Sequence, residues 1–139
     1  MSAAETLRRA RELLTPEGAW GQGYDALNGA GEAVSPTAHN AVCRCSYGAL
    51  RAAGGDVYGD AAREVLLQAI GLEAAKGDSV INWNDDPGRT HAEVLAAFDR
   101  AIELAQRDTD LLGVGPEDFA TAEDMGLAPG YGPGRAVSP

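Results

Sequence analysis

The chain is poor in cysteine, in basic residues and in long apolar runs. Only Cys43 and Cys45 occur among its 139 residues. They are too few and too close for a disulfide framework, so reduced thiols in a cytosol are the simpler reading. No apolar stretch approaches the ~18 residues that a membrane span needs. The N-terminal "MSAAETLRRARELL" has no apolar signal-peptide centre, which makes a cytoplasmic location the expectation. Eleven Lys and Arg stand against 21 Asp and Glu, a net charge of −10. That argues against a generic nucleic-acid binder, whose affinity comes from cations on phosphates. Although there are 18 glycines, no G-x-G-x-x-G or G-x-x-x-x-G-K opens a helix, and no C-x-x-C pair is present. No cofactor and no metal are expected.

What is present suits one domain. Hydrophobic residues are 45% of the chain, enough for a real core at this length. The negative charge is uneven. Residues 108–139 carry six acids (Asp108, Asp110, Glu117, Asp118, Glu123, Asp124) against Arg135, a net −5, and residues 1–107 hold the other −5. The expected organisation is a helical globular domain over 1–107 and an acidic, Gly/Pro-rich tail over 108–139, with room for one short helix in "GPEDFATAEDMG".

Along the chain, Leu7, Ala10 and Leu14 make one stripe and predict a helix over 3–14. "AWGQGYDALNGAGEAV" reads as a small β-hairpin over 20–34 around Asn28-Gly29. Ser35-Pro36 looks like a helix start, predicting a helix over 36–53 with Val42, Cys45, Ala49 and Ala53 on one face and Gly54-Gly55 as its stop. A third helix is expected over 60–70, closed by Gly71, with a turn in "LEAAKGD". "SVINW" reads as a brief extended piece at 80–84, and "NDDPG" as a turn. Thr90 and Glu93 form a capping box before Val94, Phe98, Ala101, Ile102 and Ala105, predicting a helix over 91–106. The fold class is therefore mainly α: about four packed helices with a small β-hairpin.

Capping leaves Trp83, Asn84, Arg89 and His91 unexplained. Cys45, His91 and Asn84 or Asp85 are the residue types of a thiol hydrolase or transferase: a thiolate attacks, an imidazole takes the proton, an amide or carboxylate orients the ring. Against this, Cys45 lies on the small-residue stripe, where a free Cys behaves as a small hydrophobe, and His91 sits where a helix dipole disfavours imidazolium. A zinc site from His39, Cys43, Cys45 and His91 fails on helical spacing, since Cys43 and Cys45 point apart on a helix. Asp85 and Asp86 have turn duty. Arg89 is expected to pair with a neighbouring aspartate or to hold an anion. Trp20, Tyr24 and Trp83 read as the lid of a small core or a binding cluster.

Four pieces together resemble a known family: "RRARELL", "AWGQGYD", "CSYGALRAAGG" and "WNDDPGRTHAEVLAAFDRAIELA". It is a family of small uncharacterised proteins of actinobacteria and their phages, a domain of unknown function. The resemblance covers roughly residues 5–106, and Trp-Asn-Asp-x-Pro-Gly-Arg-Thr is its most specific part. It implies a fold unit and a source, not a reaction. The single Cys before Gly-Ala-Leu in the family maps to Cys45, which leaves Cys43 as an addition.

The expected function is a non-enzymatic protein-binding or accessory protein whose partner is basic or carries an apolar groove, with no direct nucleic acid and no membrane. The binding residues would be Trp20, Tyr24, Trp83, Asn84, Arg89 and His91, with Phe119 and Tyr131 in the tail. The alternatives are a Cys/His-dependent hydrolase or transferase using Cys45 and His91, and an acidic DNA mimic.

Overall fold

The structure, a computed structural model, describes residues 2–112, and side chains through 107. Helix α1 spans Ala3–Leu14. Strands β1 (Ala26–Asn28) and β2 (Ala41–Arg44) follow, then helices α2 (Ser46–Ala69), α3 (Val80–Asn84) and α4 (His91–Leu112). The protein is mainly helical with a small two-stranded antiparallel sheet. Among the described residues, no helix is long and apolar enough to cross a membrane. Residues 1–105 form one compact unit, and the packing below is theirs.

Helix α1 starts where Ser2 Oγ accepts from Glu5 N at 3.1 Å, satisfying one of the open amides of the first turn. Its stripe of Leu7, Ala10 and Leu14 is fully buried. In α4, Glu93 Oε1 accepts from Thr90 N at 2.9 Å and Thr90 Oγ1 accepts from Glu93 N at 3.1 Å, which is the reciprocal capping box. Behind it, Val94, Ala97, Phe98, Ala101 and Ala105 face inward. They meet the α1 stripe, Leu50, Ala62, Leu66 and Leu67 of α2, and Val80 of α3 in one core. Arg11 of α1 grips Asp99 of α4 at the surface, Nε to Oδ1 at 2.6 Å.

Three elements differ from expectation. The chain does not become helical at Pro36. Residues 35–40 form two turns, Ala38 N bonding Ser35 O and Ala41 N bonding Ala38 O, and residues 41–44 then run extended. The backbone of β2 is paired on both sides there: Arg44 donates to Ala19 O and accepts from Gly21 N, while β1 pairs along the other edge. Val42 is the extra residue of a bulge opposite Leu27 and Asn28, and is 56% exposed rather than on a buried helix face. The Asn28-Gly29 hairpin exists, but narrower than 20–34. Val34 N bonds Ala26 O, Asn28 N bonds Glu32 O, and Asn28 Oδ1 accepts from Ala30 N and Glu32 N. Finally, residues 80–84 are helical. Ser79 Oγ accepts from Asn82 N at 3.0 Å, so a cap outweighs the β preference of Val80 and Ile81.

The Gly54-Gly55 stop survives as a kink inside α2. Gly55 has φ 68° and ψ −162°, open essentially to glycine alone. Helix resumes at once, several residues before the expected start at Asp60, and ends at Gly71 with φ 78°.

Candidate functional site

The unusual residues of 20–24 and 83–91 meet. The loop after α1 lies over α3 and the start of α2, and Asn84 is where the three join. Asn84 has no solvent exposure. Its Oδ1 accepts from Trp20 Nε1 at 2.7 Å, from Ser46 N at 2.9 Å and from Ser46 Oγ at 2.6 Å. Its Nδ2 donates to Gly21 O at 3.0 Å and to Asp85 Oδ1 at 3.1 Å. An indole N–H only donates, so the atom it faces is the amide oxygen and the orientation is fixed. Gln22 Nε2 donates to the carbonyls of Asn84 (2.8 Å) and Asp86 (2.7 Å), and Gly23 N donates to Asp85 Oδ1 at 3.0 Å. Nothing in the sequence pairs Ser46 or Gln22 with positions 38 and 62 residues away. A polar residue amid aromatics and glycines was the sole hint.

Around this hub the remaining candidates are also engaged. His91 opens α4, and its Nε2 lies 2.6 Å from the carbonyl oxygen of Leu14, the last residue of α1. A carbonyl only accepts, so Nε2 carries the proton. The ring stacks on Trp20, centroids 6.0 Å apart and planes 8° from parallel. Arg89 donates from Nε to Trp83 O at 3.0 Å and lays its guanidinium 4.1 Å from the centroid of the Trp83 ring. Its nearest carboxylates, Asp86 and Glu93, stand at 4.0 and 3.9 Å, so the aspartate pairing is secondary to the indole. Asp86 Oδ1 accepts from Gly88 N at 2.9 Å and shapes the turn.

Cys45 is the N-cap of α2 rather than a mid-helix residue, because the helix begins only at Ser46. Its Sγ accepts from Gly48 N at 3.2 Å. Helix N-termini favour thiolates, but this sulfur is 2% exposed, and burial followed by the nearby Asp25 charge pushes its pKa above the ordinary value. Cys43 lies two residues back on β2, partly exposed, with its Sγ 3.0 Å from the Tyr24 hydroxyl. Burial and then the Cys43 contact push the Tyr24 phenol up to about 12. His39 is exposed in the second of the two turns before β2. Among the described residues, no group of three or more His, Cys, Asp or Glu is placed to hold a metal ion. Phe119 and Tyr131 lie outside the described residues.

The structure thus brings Trp20, Trp83, Asn84, Asp85, Arg89 and His91 into one corner whose polar atoms bond one another and the backbone. Chemically, it is a clasp that ties the end of α1, the start of α2, α3 and the start of α4. No curated protein and no solved structure matches the chain. Residues 1–104 match a family described as a family of unknown function (DUF6197), and the chain belongs to that family.

Proposed function

We propose that the protein is a non-enzymatic binding or accessory protein of an actinobacterium or its phage, working in the cytoplasm and contacting a protein partner through its outer loops and acidic end. The observation that carries this reading is the closed hydrogen bonding at Asn84. The side chain that sequence reasoning places in a catalytic role has its oxygen and nitrogen occupied by Trp20, Ser46, Gly21 and Asp85, with no exposed surface. His91 is bound to Leu14, and Cys45 is a buried cap. Asn84 held this way has no atom left for a substrate, and the Cys45 sulfur is shut away from solvent.

What remains outward is the turn of Asp85, Asp86, Pro87 and Gly88, together with Val42, Val57, Tyr58 and Ile81. An exposed acidic turn and exposed apolar side chains suit partners with a basic or an apolar groove. The DNA-mimic alternative is disfavoured by the charge arrangement. Carboxylates of Glu5, Asp56, Asp60, Glu64, Glu73 and Asp99 sit beside Arg or Lys rather than in an unopposed double row.

The test is cross-linking mass spectrometry of the full chain in actinobacterial lysate, beside Asp85→Lys/Asp86→Lys and a 108–139 deletion. Cross-links from the 85–88 turn or the tail to one protein, lost in the matching variant, are expected. Ester or thioester hydrolysis that vanishes in Cys45→Ala while the fold persists would overturn the reading.

A further inference from the structure

The clasp bonds between distant residues all join the same two parts of the chain. Trp20 and Ser46 bond the Asn84 side chain, Gln22 bonds the carbonyls of Asn84 and Asp86, and Leu14 O holds His91. Arg11 reaches Asp99. The core divides in the same way: Leu7, Leu14 and Leu50 come from residues 1–54, and Leu66, Val94 and Phe98 from residues 56–105. Neither part buries its apolar face without the other. A single residue separates them. Gly55, with φ 68° and ψ −162°, is the non-helical position within α2, and helix runs up to it on both sides. The bend is tight, since a Cβ on Gly54 would stand 2.9 Å from Gly59 N. It also sets Arg51 Nη2 at 2.8 Å from Asp56 Oδ1. On a continuous helix, positions five apart lie about 140° apart around the axis, so this ion pair belongs to the bent form.

We propose that Gly55 is the hinge of a domain exchange, through which α2 straightens and two copies of the chain trade residues 1–54. The proposal does not rest on the protein-binding reading. When Gly55 turns helical, the 24 residues of α2 become one rod about 36 Å long. The two parts then separate, and each finds its complement in the second copy. The core contacts and the clasp bonds re-form between chains, so the exchange sacrifices little beyond the Arg51–Asp56 pair. Gly54, Gly55 and Gly59 are poor helix formers, which keeps the bent monomer favoured at low concentration. The new contact of the dimer lies where the two straightened helices pass each other at the hinge. Val57 and Tyr58 stand there, 76% and 46% exposed in the single chain. Covering them against the second copy favours the dimer.

The test refolds the full chain from urea at low and high chain concentration and reads mass by size exclusion with light scattering. A dimer that grows with concentration is expected, and it should persist after dilution because reversal must open the core. Gly55→Ala disfavours the bend and favours continuous helix, so its dimer should form at chain concentrations at least a hundredfold lower. In dimers assembled from carbon-13-labelled and unlabelled chains, nuclear Overhauser effects between the stacked Trp20 and His91 rings should run from one chain to the other. Val57→Ser/Tyr58→Ser should lower the dimer share and leave the monomer's urea midpoint unchanged. Asp56→Ala alters only an exposed ion pair of the bent form and should raise the dimer share about two- to fivefold. Wild type that stays monomeric at every concentration, Gly55→Ala that is a monomer of lowered stability, or a dimer whose Trp20–His91 contacts stay within one chain overturns the proposal. Should Gly55→Ala fail to fold, Asp56→Ala decides, and an unchanged dimer share overturns it.

Discussion

Replacing Asn84 by Ala removes one amide and leaves several groups without partners. Trp20 Nε1, Ser46 N and Ser46 Oγ lose their acceptor, and Gly21 O loses a donor. A buried polar group left unpaired costs about 1–3 kcal/mol. Four such groups set an upper bound of ~12 kcal/mol. The hydroxyl of Ser46 can rotate, and a water can enter the vacated space and serve two or three of the groups. A loss of about 3–5 kcal/mol follows, a fifth or more of the stability of an ordinary domain. Ser46→Ala alone removes one donor and should cost about 1 kcal/mol. The two changes share a partner, so the double variant should be less destabilised than the sum, by at least ~0.5 kcal/mol. Urea unfolding followed by tryptophan fluorescence measures all three, with Trp20 and Trp83 beside the substituted site. A loss below ~1 kcal/mol for Asn84→Ala, or strict additivity with Ser46→Ala, refutes the hub.

Further expectations follow from neighbouring geometry. Gly48→Ala should cost more than ~3 kcal/mol or abolish folding, because its Cβ would run into the backbone carbonyl of Asp25, which cannot move without breaking the bond from Cys45 N; circular dichroism on heating reads this. Arg89→Lys should lose about 1–2 kcal/mol in urea, since an ammonium can neither lie flat on Trp83 nor keep the Nε bond to its carbonyl; equal stability would show the stack to be passive. Stability should be level below the ordinary thiol range and fall as pH rises through it, because the folded state holds the Cys45 proton, and above pH 10 the Tyr24 proton, more tightly than the unfolded chain does. Cys45→Ser should remove the first part of that decline and leave the second, as followed by unfolding midpoints from pH 7 to 11.

Much of the fold was legible because its signals are local. The α1 stripe, the Thr90–Glu93 capping box, the α4 stripe and Gly71 as a helix end each need only a turn or two of chain, and each lies where the spacing places it. Residues 36–45 were not legible, although 46–53 are helical as the spacing predicts. Ser-Pro followed by small residues fits a helix as well as a turn, and no local feature says that Arg44 must pair with Ala19 and Gly21. That error moved Cys45 from mid-helix to a cap and separated Val42 from the core. Residues 80–84 failed for the opposite reason: two β-branched residues outvoted Ser79, whose cap was readable. The site itself was half legible. Trp20, Trp83, Asn84, Arg89 and His91 stood out as residues that turns do not require, but their partners did not.

By itself the amino-acid sequence determined the helical class, the inward faces of α1 and α4, the cap of α4 and the residues that local structure leaves unexplained, because helix periodicity and capping act over three or four positions. Tertiary structure alone decided what those residues do. Asn84 is a hub rather than an orienting group because Trp20, Gly21 and Ser46 arrive from distant parts of the chain to fill its hydrogen bonds. Cys45 caps α2 because pairing across β1 and Ala19–Gly21 holds the residues before it extended. Hydrogen bonds between residues tens of positions apart depend on the closed core for their geometry, and no short window of sequence contains that core.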